Sequence, residues 1–237
     1  MSVLAYSQCI DRGKIKYGGN YYSTDYIRLC PTYAFATNGD TSKNWNVLTD
    51  PIDIKQAPAK ALAYKRNVDI AILKYSGDKF YSKLNFHSLE VVYPQRLNWF
   101  KKQGRQDVTL KYYKAKYFFF YQFKPDSIAS FLIGIAVNKE GKIISPFVFP
   151  SKKNYAPIDT SFTYCKLLEI ARSKQRDIDP VQELSLEFDT KSQRFLWLIS
   201  QSVVDTKEGD NFFNQVMIDA ADLSKVQTAK TYATIVR

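Results

Sequence analysis

The sequence predicts an α+β fold: two helix-plus-antiparallel-sheet units, preceded by a loop-rich N-terminal segment. Three observations carry this. Helix-periodic stretches occur twice, near 57–75 and 161–175. Each is followed by runs that alternate with a period of two, the signature of half-buried strands. Aromatic residues are abundant, with 17 Tyr and 16 Phe in 237 residues, and such side chains favour a pleated surface. A chain of this length buries a substantial core, and its 45% hydrophobic content argues against disorder. The predicted boundaries are 1–54 for the loop-rich segment, 55–150 for the first unit and 151–237 for the second.

Residues 1–54 lack sustained periodicity. Gly18-Gly19, Asn38-Gly39-Asp40 and Asp50-Pro51 are turn signals between short Tyr-rich pieces, which predicts irregular structure with one or two short strands. A helix follows at 57–75, with Leu62, Val68, Ala71 and Ile72 on its apolar stripe and Gly77 as its stop. Residues 86–93 read as a strand ended by Pro94, and the basic block 95–106 as a loop or short helix. The clearest pattern lies at 107–123. Tyr113, Ala115, Tyr117, Phe119, Tyr121 and Phe123 alternate on one face, with Lys114 and Lys116 on the other, predicting a long strand with one buried face. Strand 131–137 runs into Asn138-Lys-Glu-Gly141, a hairpin-type turn.

The second half repeats this order. Asp159 or Thr160 is the expected cap of helix 161–175. Strands ELSLEF, RFLWLIS, FFNQVMIDA and KVQTAKTYATIV follow, the first with Leu184, Leu186 and Phe188 inward and Ser185 and Glu187 outward. The ends of the third strands match, Val137-Asn-Lys-Glu-Gly-Lys-Ile143 beside Ile218-Asp-Ala-Ala-Asp-Leu-Ser-Lys-Val226, which reads as a weak internal repeat.

Val216-x-Ile218-Asp219-Ala220, followed by Ser224-Lys225-Val226, resembles the ending of PepSY-like domains, where a strand passes through an Ile-Asp-Ala tripeptide into a Thr-Gly-Lys turn. The turn here is one residue longer and has Ser for Gly; the first half has Gly-Lys but Asn for Asp. The resemblance spans about 160–230, with a fainter echo at 57–145. It implies a cystatin/PepSY-like arrangement, export, and a role in binding or inhibition rather than catalysis.

The net charge is +11, from 25 Lys and 9 Arg against 23 acidic residues. Such an excess favours anionic partners. A lysine-rich balance suits diffuse attraction better than the bidentate phosphate recognition that Arg supplies. No apolar run approaches the roughly 18–20 residues that span a bilayer. The opening MSVLAYSQC reads as the tail of an export signal behind a start Met, so the expected location is periplasmic or secreted, with the cytoplasm as the alternative. In an oxidising compartment Cys9 and Cys30 form the candidate disulfide, stapling the N-terminal segment, while Cys165 is expected to be a small buried residue of a helix. Three free thiols are the cytoplasmic reading.

Catalytic signals are missing from the sequence. His87 is the single histidine, which removes multi-His metal sites, and no Gly-x-Ser-x-Gly elbow accompanies it. Gly18-Gly19 and Gly134 fit no phosphate loop, and the Asp219/Asp222 and Asp177/Asp179 pairs lack EF-hand spacing. We therefore expect no catalytic residues, no metal and no cofactor. Candidate binding residues are Tyr21, Tyr22 and Tyr26 in the N-terminal segment, with Trp99, Lys101, Lys102 and Arg105 in the basic block. The aromatic and basic residues of 96–117 also fit a groove for single-stranded nucleic acid, but a strand needing its aromatics for the core makes nucleic acid the weaker reading. The expected function is a non-enzymatic exported protein that binds a protein or an anionic polymer such as a polysaccharide. The alternative is an immunity-type protein that neutralises a toxin.

Overall fold

The computed structural model describes residues 9–16, 18–20, 26–42, 51–111, 113–204 and 211–233. It is an α+β structure with two sheets and few helices. The chain divides into two compact units. One comprises 19–123 and 132–153; the other comprises 1–18, 124–131 and 154–237. The described strands of residues 1–54 are shared between the two sheets.

The first strands in chain order are β1 (Ile15–Lys16), which belongs to the other unit, then β2 (Gly18–Asn20), β3 (Thr32–Ala36), β4 (Ile52–Asp53), β5 (Leu84–Val92), β6 (Tyr117–Phe123) and β7 (Phe131–Val137). The six-stranded sheet has the order β2-β7-β6-β5-β3-β4. Strand β5 is antiparallel to both β3 and β6. Helix α1 (Ala59–Ser76) starts after Pro58 and ends at Gly77, whose φ of 75° suits a residue without a Cβ. It buries Ala61, Val68 and Ile72, and Tyr64 meets Tyr117 edge to face at 5.5 Å. Two short helices, α2 (Asp78–Tyr81) and α3 (Leu97–Lys102), complete the unit. The block 95–106 thus contains a short helix.

The expected long strand is shorter and more deeply buried than its alternation suggests. Pairing begins only at Tyr117. Phe118 and Phe120, on the face opposite Phe119 and Tyr121, are buried too, against Ile27, Cys30, Val92, Ala115 and Ala136. The expectation of one buried face is corrected to two, because the turn at 26–30 and the segment before β6 fold over the second face. His87 falls at an irregularity in the β5–β6 register, where it is exposed.

The other unit follows the order helix, then meander. Helix α4 (Tyr164–Lys174) precedes β8 (Glu183–Asp189), β9 (Arg194–Val204), β10 (Asn211–Asp219) and β11 (Val226–Ala233). These strands are antiparallel neighbours in sequence order, and β1 joins the β8 edge in parallel. Thr163 caps α4 by accepting from the Lys166 N–H at 3.1 Å. Asp159 instead closes a turn by accepting from the Ser161 N–H. Trp197 is fully buried, against Phe162 and Tyr164. Ser185 is buried rather than outward-facing.

The two turns that suggested a repeat are built alike. The Asn138 N–H donates to the Lys142 carbonyl and the Asp219 N–H to the Lys225 carbonyl, each at 3.0 Å. In both, the side chain of the first residue accepts from a backbone N–H two residues on. Val137 pairs with Ile143, and Ile218 with Val226. In Gly141 the φ is 90°, and a Cβ there would lie 2.2 Å from the Tyr64 ring.

The candidate disulfide between Cys9 and Cys30 is corrected. Cys9 is bonded to Cys165, with Cα atoms 5.5 Å apart, and Cys30 is a free, buried thiol. The pairing of β1 with β8 carries the N-terminal segment to the unit that contains α4, and Cys30 stays in the other. Cys165 is accordingly half of a cross-link rather than a packing residue.

Candidate functional site

Positive charge is segregated between the units. The 19–123/132–153 unit holds 20 Lys and Arg against 9 Asp and Glu, a net +11, whereas the other holds 14 against 14 and is neutral. The whole excess of the chain therefore belongs to the unit with the six-stranded sheet. Within that unit the segment from Arg96 to Lys116 is the densest in basic residues, with seven Lys and Arg and one acidic residue, Asp107.

Local hydrogen bonding explains how this segment is held. Pro94 starts a single 3-10 turn that leads into α3, whose Phe100 is 1% exposed and anchors the helix. Beyond α3 the chain turns back at Gly104, with φ 89°, and the Arg105 N–H donates to the Phe100 carbonyl at 3.1 Å. Arg105 then makes two side-chain hydrogen bonds to Asp107, both 3.0 Å. The Thr109 N–H donates to the Leu29 carbonyl at 2.7 Å, and the Lys114 N–H to that of Tyr26 at 2.8 Å. Residues 109–115 are thereby laced to the turn at 26–30. That turn holds Leu29 at φ 56°, a left-handed conformation that costs a leucine about 1 kcal/mol.

Tyr26 is half-buried; it packs on Phe118 at 6.4 Å and donates to the Ile144 carbonyl at 3.3 Å. Tyr21 and Tyr22 lie outside the described residues. Trp99 is half-buried between Tyr33, Phe100 and the Arg96 guanidinium, which sits 5.5 Å from its ring. Lys102 is exposed, Lys101 is half-buried, and Arg105 is engaged by Asp107. The structure therefore brings Trp99, Lys101, Lys102 and Arg105 together on α3 and its following turn. It adds two residues that sequence reasoning missed: Leu29 and Leu110, 39% and 37% exposed on the laced segments. Nothing in the sequence signals the backbone conformation of Leu29.

The aromatics of this region mostly serve each other. Tyr33 contacts Tyr93 and Phe100 edge to face, each at 5.3 Å. Lys116 lays its ammonium over the Tyr93 ring at 4.8 Å and donates to the Val92 carbonyl. Burial pushes the Tyr93 phenol up to about 12, so it stays neutral at ordinary pH. Among the described residues, these aromatics are therefore taken up by packing rather than free to stack on bases.

Elsewhere, two carboxylates pair with tyrosine hydroxyls across elements. In the basic unit, Asp69 accepts from the Tyr121 hydroxyl at 2.7 Å and from Lys65 at 2.8 Å, joining α1 to β6. In the neutral unit, Asp126 accepts from the Tyr164 hydroxyl at 2.6 Å. Glu90, on β5 opposite Ala34 and Phe118, is half-buried, and desolvation pushes its carboxyl up to about 7. Burial likewise pushes the Cys30 thiol up to about 11, which keeps it protonated and a poor nucleophile. Among the described residues no three His, Cys, Asp or Glu side chains gather where they could hold a metal ion. No helix among them is long and apolar enough to cross a membrane. The chain matches no family model, no curated protein and no solved structure.

Proposed function

We propose that this protein is an exported, non-enzymatic binding protein that holds an anionic partner on its lysine-rich unit. The observation that carries this is the segregation of charge: one unit bears the entire net +11 while the other is neutral. Random surface charge for solubility would be shared between the units; a field concentrated on one of them attracts and orients an acidic partner. Lysine predominance and occupied aromatic rings favour diffuse electrostatic attraction over base readout. The Cys9–Cys165 bond supports an oxidising compartment, since such bonds persist mainly outside the cytoplasm. The helix-then-meander order of α4 to β11, with the Asp219–Lys225 turn, supports the PepSY-like reading.

The test is titration of the purified chain with a sulfated polysaccharide over a range of salt concentrations. Binding should weaken steeply with salt, because the attraction is screened. Lys102→Glu combined with Lys114→Glu should weaken it several-fold. The exposed Lys174→Glu in the neutral unit should leave it unchanged. Equal losses from the two units would remove the basis of the reading.

A further inference from the structure

We propose that the two loops carrying Leu29 and Leu110 form a membrane-docking tip for an anionic lipid surface. The inference rests on the anionic-partner reading above and names the partner.

Its basis is a combination found at this place in the basic unit. Leu29 and Leu110 lie on segments joined by the hydrogen bond from the Thr109 N–H to the Leu29 carbonyl, and each leaves more than a third of its surface exposed. Each is followed or preceded by an exposed basic residue, Arg28 and Lys111, with Lys102 and Lys114 on the flanking stretches. The acidic residue among them, Asp107, is neutralised by its two hydrogen bonds to Arg105. An apolar tip with a basic collar has a specific physical use. Acyl chains just beneath an anionic headgroup layer take up the leucines while the headgroups meet the cations. A soluble polysaccharide or a nucleic acid satisfies the collar but leaves the leucines in water. The fixed, hydrogen-bonded backbone at Leu29 presents its side chain without an ordering cost at contact.

Flotation with phosphatidylglycerol-containing vesicles, beside phosphatidylcholine vesicles, reads the proposal directly. The intact chain should float with the former and not with the latter. Leu29→Asn with Leu110→Ser should lower vesicle affinity at least about tenfold, from the apolar area withdrawn. The Asn suits the left-handed backbone, and an unchanged melting temperature verifies the fold. Binding of the same variant to dextran sulfate should be unaffected. Lys102→Glu and Lys111→Glu should each cost roughly fivefold on vesicles. Vesicle binding that ignores the leucine changes overturns the proposal. So does binding of dextran sulfate, or of an acidic protein, by a chain that leaves vesicles alone, although the anionic-partner reading then survives. Indifference to both vesicles and polyanion removes the two together.

Discussion

Glu90 shows how one side chain can make stability depend on pH. Its carboxyl is pushed up from 4.5 to about 7 by desolvation between Ala34 and Phe118 on the neighbouring strands. The folded state thus holds a proton more tightly than the unfolded chain. The favourable contribution is fully present below about 4.5 and is lost as pH rises through about 7. At higher pH the buried charge costs on the order of 3 kcal/mol. Urea unfolding of Glu90→Gln should therefore show a gain over the parent at pH 8 that vanishes at pH 4. An equal effect at both pH values would show that desolvation of the charge is not what matters. Gly141 makes a different demand, since both its φ of 90° and the Tyr64 ring exclude a Cβ. Gly141→Ala should cost about 2 kcal/mol or more, and a variant as stable as the parent would mean that Tyr64 moves aside freely.

Among the elements, the segment just before β1 is tied to α4 by the Cys9–Cys165 bond, 156 residues apart in sequence. Closing a loop of that length is worth about 5 kcal/mol in the chain-entropy picture, roughly 2 kcal/mol more than the short Cys9–Cys30 loop would be. Cys165→Ser should accordingly lower unfolding free energy by several kcal/mol. Alkylation without reduction should label only Cys30, and only after unfolding. Labelling of all three thiols in the folded, natively purified protein would contradict the pairing. The matching turns after β7 and β10 teach the same lesson about elements. Asn138 and Asp219 fill one role because either side chain can accept from the backbone of its own turn.

For the molecule as a whole, the division into a neutral and a strongly basic unit is the feature on which the proposed binding of an anionic partner rests. It is a distribution, so a salt series on the intact chain tests it better than any one substitution. The lysine-rich unit also packs many aromatics internally, with Phe35, Phe80, Phe100, Phe118 and Phe119 fully buried. Its core and its charged surface are thus distinct layers of one sheet-centred structure, which is how a basic protein keeps aromatic residues from becoming an aggregation surface.

The sequence by itself determined the element order: two helices, each leading into antiparallel strands, because periods of 3.6 and 2 are local properties of the chain. Helix α1, strands β5 and β7, and the whole α4–β11 series fall within a few residues of their expected positions. The basic block and its candidate residues Trp99, Lys101, Lys102 and Arg105 were legible for the same reason, as a run in composition. Tertiary structure alone decided the partner of Cys9, the second buried face of β6, and the exposure of Leu29 and Leu110. Each depends on which distant segments meet. The pairing of β1 with β8 and the folding of residues 26–30 over β6 are long-range choices, made by burial of apolar surface and satisfaction of backbone hydrogen bonds, and no local pattern encodes them.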